Sequence, residues 1–543
     1  MALGSWDLLD AQRPFEILAI TARAAQGTGE KTLEIWSSFP HEGFDLVIMN
    51  PPFTRPTGHE SGKIGVRNPM FAAFATDDAT QRLMAKAAAQ LSGGTNYHGN
   101  AGEASIFVAL SHRKLKIGGT LAMVLPLSFM LGDSWSATRK LISDNYANLI
   151  FITNAGVGGA DVSFSSDTDM GECLVIGKKR KQGSKRATFV TLNERPDSTM
   201  SGANTAGKIR QLIKIGALRK LEGDPNGGSP LILGNELIGH AIDAPTAAGW
   251  NLARVRDFAL AQTAHWLVRS TLLLPGLPKS SAASLPVTTI GKLGEIGPYH
   301  ADINGRTATG GIRGPFDKHS VQSNSAPTYP VLWEHVAERE RTMVFEAEAE
   351  CVPRIGKNNV EQKLIDQKVE NLWHTASHCH FNRDFRFNSQ STAMQFSRRQ
   401  ALGGRAWLSI KLSTSEREKA LVLWANSSLG ILLYWWFANK QQPGRGSIGR
   451  MTLENVAALN VAQLNKQQLK SASEIFEIFA NLPLLPVHQL DRDDNRRNLD
   501  RAFMTEVLAL PSVLHDSDGA MDLLRLKLAR EPSILGHKRP ALS

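Results

Sequence analysis

The sequence predicts an α/β fold: a mostly parallel sheet over the first 190 residues, then a mixed α+β region and a helical C-terminal tail. Three observations predict it. Phe44-Asp45-Leu46-Val47-Ile48-Met49 is a nearly unbroken apolar run of strand length, which suits a parallel strand covered on both faces. From 103 to 177, segments of helical and strand period alternate, as in a layered α/β domain. After about residue 190 the pattern changes to short strands broken by Gly/Pro loops, and the last 80 residues read as helices.

In chain order, residues 103–117 read as a helix with Ile106, Phe107, Leu110 and Leu115 on or near one face, and Gly118-Gly119 as its stop. Thr120 to Leu125 is the next strand, with Pro126-Leu127-Ser128-Phe129 at its carboxyl end. A helix over 134–145 leads to a strand at Leu149 to Thr153, and Phe164 to Gly177 reads as a loop and a late strand. Residues 202–221 are helical and basic, and Gly223 to Gly228 is a breaker-rich linker. Between 250 and 463, short strands are broken by Gly/Pro loops at 275–285, 304–315 and 440–449. Cys379 to Asn388 alternates apolar and polar residues and reads as a half-buried strand. Helices follow at 467–481, 497–509 and 520–530, and Glu531 to Ser543 reads as a loose end. The expected domains are 1–190, a helical connector at 191–249, 250–463 and 464–543.

The chemistry concentrates in Asn50-Pro51-Pro52-Phe53, directly after the first apolar run. In open α/β sheets, ligands bind beyond the carboxyl ends of strands. An aromatic amino group offers two N–H donors. The Asn50 amide oxygen can accept one and the Pro51 carbonyl the other, with the two proline rings fixing the backbone. Phe53 can stack on a base, which contributes roughly 1–3 kcal/mol. The plain alternative is a strand-ending turn, for which Asn and Pro are ordinary residues.

This tetrapeptide resembles motif IV of the S-adenosylmethionine-dependent amino-methyltransferases. The Asn form with a terminal aromatic is similar to that of adenine-N6 DNA methyltransferases of type I and type IIG-like restriction–modification systems. The same four letters occur in families that methylate guanine N2 in ribosomal RNA or glutamine in release factors, so they indicate the reaction better than the substrate. Segments 103–129 and 164–177 are also similar to stretches of large restriction-system adenine methylases, where Phe164 falls near the target-base pocket. A core aromatic is the other reading of Phe164. Gly4 to Leu9 resembles motif III, in which Asp7 would bond the adenine amino group of the cofactor. A helix cap or turn is the alternative for Asp7. The resemblance implies a partial Rossmann-like methyltransferase domain covering its strand 4–7 region, S-adenosyl-L-methionine as cofactor and double-stranded DNA as partner. It implies a target-recognition region over 250–463, carried most clearly by Ile290 to Ile303 and by Asn426 through Leu459.

The glycine-rich loop that such enzymes place after their first strand is not recognisable, and Gly156 to Gly159 lacks a helix-opening context. The expectation is therefore a truncated gene product, a fragment, or one half of a split enzyme whose cofactor-binding half comes from a separate polypeptide.

The formal net charge of +10 favours a polyanionic partner. Arg306, Arg313 and Lys318, and later Lys440, Arg445 and Arg450, lie in glycine-containing loops that could follow phosphates; solvated surface is the alternative. Three widely spaced cysteines argue against a disulfide framework and fit a cytoplasmic location. His374, His378, Cys379 and His380 match no standard zinc spacing, so no metal site is expected. Ala420 to Ala438 is the longest apolar stretch, but Asn426, Ser427, Ser428 and Gly430 at its centre favour a buried helix over a membrane span.

Overall fold

The computed structural model describes residues 43–53, 101–157, 163–165, 170–216, 218, 228–307, 311–319, 327–336, 339–440, 442–516 and 519–536. Contacts divide the chain into two units, Met1–Arg256 and Asp257–Ser543. The expected Asp7 lies outside the described residues.

The first unit is a mixed α/β layer. Its strands are β1 (Phe44–Met49), β2 (Leu115–Pro126), β3 (Tyr146–Asn154), β4 (Glu172–Lys179), β5 (Arg186–Leu192), β6 (Ser229–Leu233) and β7 (Glu236–Pro245), in the order β1-β2-β4-β3-β5-β7-β6. β1 runs parallel to β2 and β3 parallel to β5, while β4 enters antiparallel between β2 and β3. The carboxyl ends of β1, β2, β3 and β5 thus share one end of the sheet, and β4 begins there. Helices α1 (Glu103–Lys114), α2 (Ser136–Asn145) and α3 (Thr199–Lys214) follow the expected order. Phe151 stacks on Phe189, and the edge of Trp250 meets Phe129, Phe151 and Phe189, giving this unit an aromatic core.

In this unit three expectations change. β1 is an edge strand among the described residues, with Leu46 51% and Ile48 73% exposed, so it is not covered on both faces. Gly118-Gly119 lies inside β2 instead of ending α1. The β1–β2 register jumps from Phe44↔Leu115 to Leu46↔Thr120, Gly118 has φ +90°, and a Cβ at Gly119 would lie 2.9 Å from the Phe44 carbonyl oxygen. The pair makes a bulge, which needs the positive φ that glycine allows. The connector expected over 191–249 carries α3 but also β6 and β7, which turn at Gly234 (φ +60°) and extend the same sheet. Ile209 and Leu212 of α3 pack against Val190, Leu192, Leu231 and Ala241, which fixes that extension.

In the second unit, β8 (Glu295–Ile296), β9 (Phe316–His319), β10 (Tyr329–Leu332), β11 (Ala349–Pro353), β12 (Ser377–Asn382), β13 (Met394–Gly403) and β14 (Trp407–Lys411) form a sheet in the order β8-β14-β12-β13-β10-β11-β9. Ile365 and Val369 of α4 (Asn359–His374) pack with Phe316, Val331 and Cys351. β12, between β13 and β14 in the middle of the sheet, is buried on both faces, not half-buried: His380 and Asn382 are as enclosed as Cys379 and Phe381.

The long apolar stretch is two helices, α5 (Ser415–Asn426) and α6 (Ser428–Phe437), bent by 76°. α6 is buried to Trp436 and α5 from Ala420 onward, with Trp424, Trp435 and Trp436 fully enclosed. The polar residues at the bend are satisfied internally. Asn426 donates to the Met394 and Val422 carbonyls and accepts from the Ala393 amide. Ser427 caps Gly430, and Ser428 donates through its backbone and hydroxyl to Asp500. Among the described residues no single helix is long and apolar enough to cross a membrane; the bent pair passes on length and composition only. Cys173, Cys351 and Cys379 are free and buried.

Candidate amino-group-binding site

The site forms at the shared carboxyl end of the first unit's sheet. Asn50 follows β1 and is exposed; Pro51 is buried, and Pro52 and Phe53 are half-buried. A rigid, buried Pro51 next to an exposed amide gives a polar group that stands in solvent on a fixed base.

A second segment, Ser163–Ser165, reaches the same place. The backbone N–H groups of Phe164 and Ser165 both donate to Glu172 Oε2 at 2.8 Å, and the Ser165 hydroxyl donates to Glu172 Oε1 at 2.8 Å. Asn50 Nδ2 then donates to Ser165 Oγ at 3.4 Å. Glu172 is the first residue of β4, is buried, and pairs with Pro126 at the end of β2. The Leu127 amide closes this corner on the Gly171 carbonyl at 2.7 Å. Two segments more than a hundred residues apart are therefore joined at the strand ends, where a ligand of an open sheet belongs.

Phe164 is half-buried, and its ring packs against the cluster of Val190, Leu192, Ile209 and Leu231. Its backbone, however, is next to Asn50 through Ser165. Asn154 closes β3 at the same end of the sheet. It is fully buried, and among the described residues neither its amide nitrogen nor its oxygen has a partner. Leaving such a group unsatisfied costs about 1–3 kcal/mol. Sequence reasoning missed Ser165, Glu172 and Asn154. Glu172 carried a signal, since a carboxylate opening an otherwise apolar strand, Cys173-Leu174-Val175-Ile176, needs a local reason.

The basic loops of the second unit separate. Arg306 is exposed, and Arg313 is exposed and paired with Asp302 at 2.9 Å. Lys318 pairs with Glu334 at 3.2 Å and lies over the Trp333 ring. Lys440 does not fit a phosphate contact: it is fully buried and donates to the Trp436 and Ala438 carbonyls at the end of α6. Arg445 is held by both carboxylate oxygens of Asp384, which raises the guanidinium above its ordinary pKa. Arg450 donates to the Gly297 carbonyl at 3.1 Å and reaches Glu454.

Arginines the sequence had not singled out organise this region. Arg354 is buried and staples the glycine loop, donating to the carbonyls of Asn304, Gly305 and Gly314 and pairing with Asp317 at 2.8 Å. The guanidinium of Arg383 lies 5.0 Å from the centre of the Tyr299 ring, and Tyr299 packs on His300 at 4.2 Å. Burial, with Arg383, Arg405 and Arg313 nearby, holds His300 below its ordinary pKa. Of these, Arg383 is in direct contact with the aromatic pair, and Arg313 is neutralised by Asp302.

No family model matches the chain, and no curated protein matches it. Solved structures similar to it include restriction–modification enzymes. The type IIG restriction endonuclease BpuSI shares 12% identity at a TM-score of 0.31, covering 91% of this chain and 53% of that one. The type IIL restriction-modification enzyme MmeI, in complex with DNA, shares 11% at a TM-score of 0.39, covering 90% and 56%. The type I methyltransferase subunit from Streptococcus thermophilus shares 16% at a TM-score of 0.21, covering 38% and 35%. The chain spans about half the length of the first two.

Proposed function

We propose that the chain carries the amino-group clamp and the DNA-reading region of a restriction–modification methyltransferase acting on adenine N6. One observation carries this reading: Asn50-Pro51-Pro52-Phe53 stands at the carboxyl end of β1, with its amide exposed on a buried proline. In this reading the first unit is part of a Rossmann-like catalytic domain. The expected strand–helix–strand–helix–strand succession with a late strand β4 supports it. The formal net charge of +10, with Arg383 over the Tyr299 ring beside His300, supports a polyanionic partner.

S-adenosyl-L-methionine would supply a methyl group on a sulfonium. Asp7, the residue expected to hold it, lies outside the described residues, so the described side chains account for the amino-group side alone. There, Asn50 Oδ1 and the Pro51 carbonyl accept the two N–H bonds of the base, and Phe53 lies against its face. Acceptors set beforehand stabilise the positive charge that grows on the nitrogen. A base paired in duplex cannot reach such a site, so the target must leave the stack.

The test incubates the full chain and labelled S-adenosylmethionine with plasmid DNA or with ribosomal RNA, followed by digestion to nucleosides. N6-methyladenine from DNA is the expected product, with Asn50→Ala lowering its rate by about 100-fold or more. Label in guanine of ribosomal RNA would overturn the substrate. DNA binding with no affinity for the cofactor in calorimetry would favour a reader that depends on a separate cofactor-binding polypeptide.

A further inference from the structure

We propose that Glu172 and Ser165 are positioning residues that decide which end of the Asn50 amide faces the substrate. The proposal rests on the reading of Asn50 as the acceptor for an amino group.

An asparagine amide is nearly symmetric in shape. Its oxygen accepts and its nitrogen donates, and rotation by half a turn exchanges them. For an amino-group substrate only one orientation works, because the reversed amide would set N–H against N–H. The exposed Asn50 has little packing of its own to choose between the two.

The choice is made by an ordered chain of donors. An ionised carboxylate can only accept. Glu172 takes the two backbone N–H groups of Phe164 and Ser165 on Oε2 and the Ser165 hydroxyl on Oε1, all at 2.8 Å. The hydroxyl has one proton, and Glu172 holds it. Ser165 Oγ can therefore only accept from its other neighbour, and that neighbour is Asn50 Nδ2 at 3.4 Å. With Nδ2 drawn to Ser165, Oδ1 is turned to the opposite side, free to accept from a substrate. The last link is long for a hydrogen bond, and catalytic hydrogen bonds often tighten only when substrate is bound. The first three links need no substrate, since Glu172 is buried and anchored at the start of β4.

Three substitutions separate this role from simple support of the loop. Ser165→Ala removes the hydroxyl but leaves both backbone N–H groups on Glu172. Ser165→Thr keeps a hydroxyl. Glu172→Gln keeps the shape but supplies an NH2 that can donate to Ser165, which frees the hydroxyl proton to point at Asn50 and favours the reversed amide.

Steady-state methyl transfer to adenine in plasmid DNA is measured for the full chain and each variant. Ser165→Ala and Glu172→Gln are expected to lower kcat on the order of 10-fold to 100-fold, the usual effect of removing a group that orients a functional residue. KM for DNA should stay within about three-fold, since the lost interaction acts in the transition state. Ser165→Thr should return to within about three-fold of the parent, and the urea midpoint of Ser165→Ala should be unchanged. Parental kcat in Ser165→Ala, or a kcat loss that Ser165→Thr fails to recover, would overturn the relay. Absence of transfer by the parent chain instead points to dependence on a separate cofactor-binding polypeptide and leaves kcat unable to read the relay. The relay is then judged from the side-chain amide signal of Asn50 in the 15N-asparagine-labelled protein, assigned by its loss in Asn50→Asp. A shift of that signal in Ser165→Ala supports the relay, and an unmoved signal sinks it.

Discussion

Asn426 uses its whole amide at the bend between α5 and α6: two carbonyls accept from it and one backbone N–H donates to it, all in a fully enclosed place. Asn426→Ala would strand the Ala393 N–H and the Met394 carbonyl without water to replace the lost partner. The expected cost is about 2–6 kcal/mol, from two unsatisfied buried groups at about 1–3 kcal/mol each. A lower urea midpoint of the second unit's transition checks it; an unchanged midpoint would mean the bend relaxes. Lys440 makes the same point about charge. Its identity is legible in the sequence, but its destination is set by the carbonyls ending α6, and nothing in a glycine-basic loop announces that those carbonyls will be buried beside it. Asn50 was legible for the opposite reason. Its function is carried by four consecutive residues, whereas Ser165 and Glu172 join it only after the sheet has brought strand ends together.

At the scale of elements, α1, α2, β3 and β4 follow from local period and were legible within a few residues. The Gly118-Gly119 bulge was not, because it exists only as a mismatch against β1, and pairing is nonlocal. β6 and β7 escaped for the same reason: their place depends on β5 and on α3 covering them. The bulge gives a clean measurement. A Cβ at Gly118 meets nothing closer than the Arg180 guanidinium at 3.9 Å, so Gly118→Ala tests backbone strain without a clash. At φ +90° the expected loss is about 1–2 kcal/mol. Gly118→Asn should lose less, because asparagine tolerates positive φ better. The urea midpoint of the first unit reads both variants, and equal losses would argue against a strain origin.

Across the whole molecule, the sequence located the change of character near residue 190, while the contacts divide the chain after Arg256. The difference is the hairpin of β6 and β7, whose apolar residues complete the first sheet instead of linking it to the next unit. Composition revealed a positive balance but not its focus. Arg383 meets Tyr299 only after the fold joins segments more than eighty residues apart. The three enclosed cysteines have a use of their own. Burial raises each thiol's pKa, that of Cys351 to about 12, so alkylation at neutral pH needs local opening of the fold. Cys173 sits in the first sheet, and Cys351 and Cys379 in the second. Peptide-resolved labelling with a thiol reagent through a urea series should give Cys351 and Cys379 one common curve, since β11 and β12 belong to one sheet; separate curves would mean that sheet opens in pieces. The chain thus has a native chemical clock in each of its two halves, able to time their opening without any engineered probe.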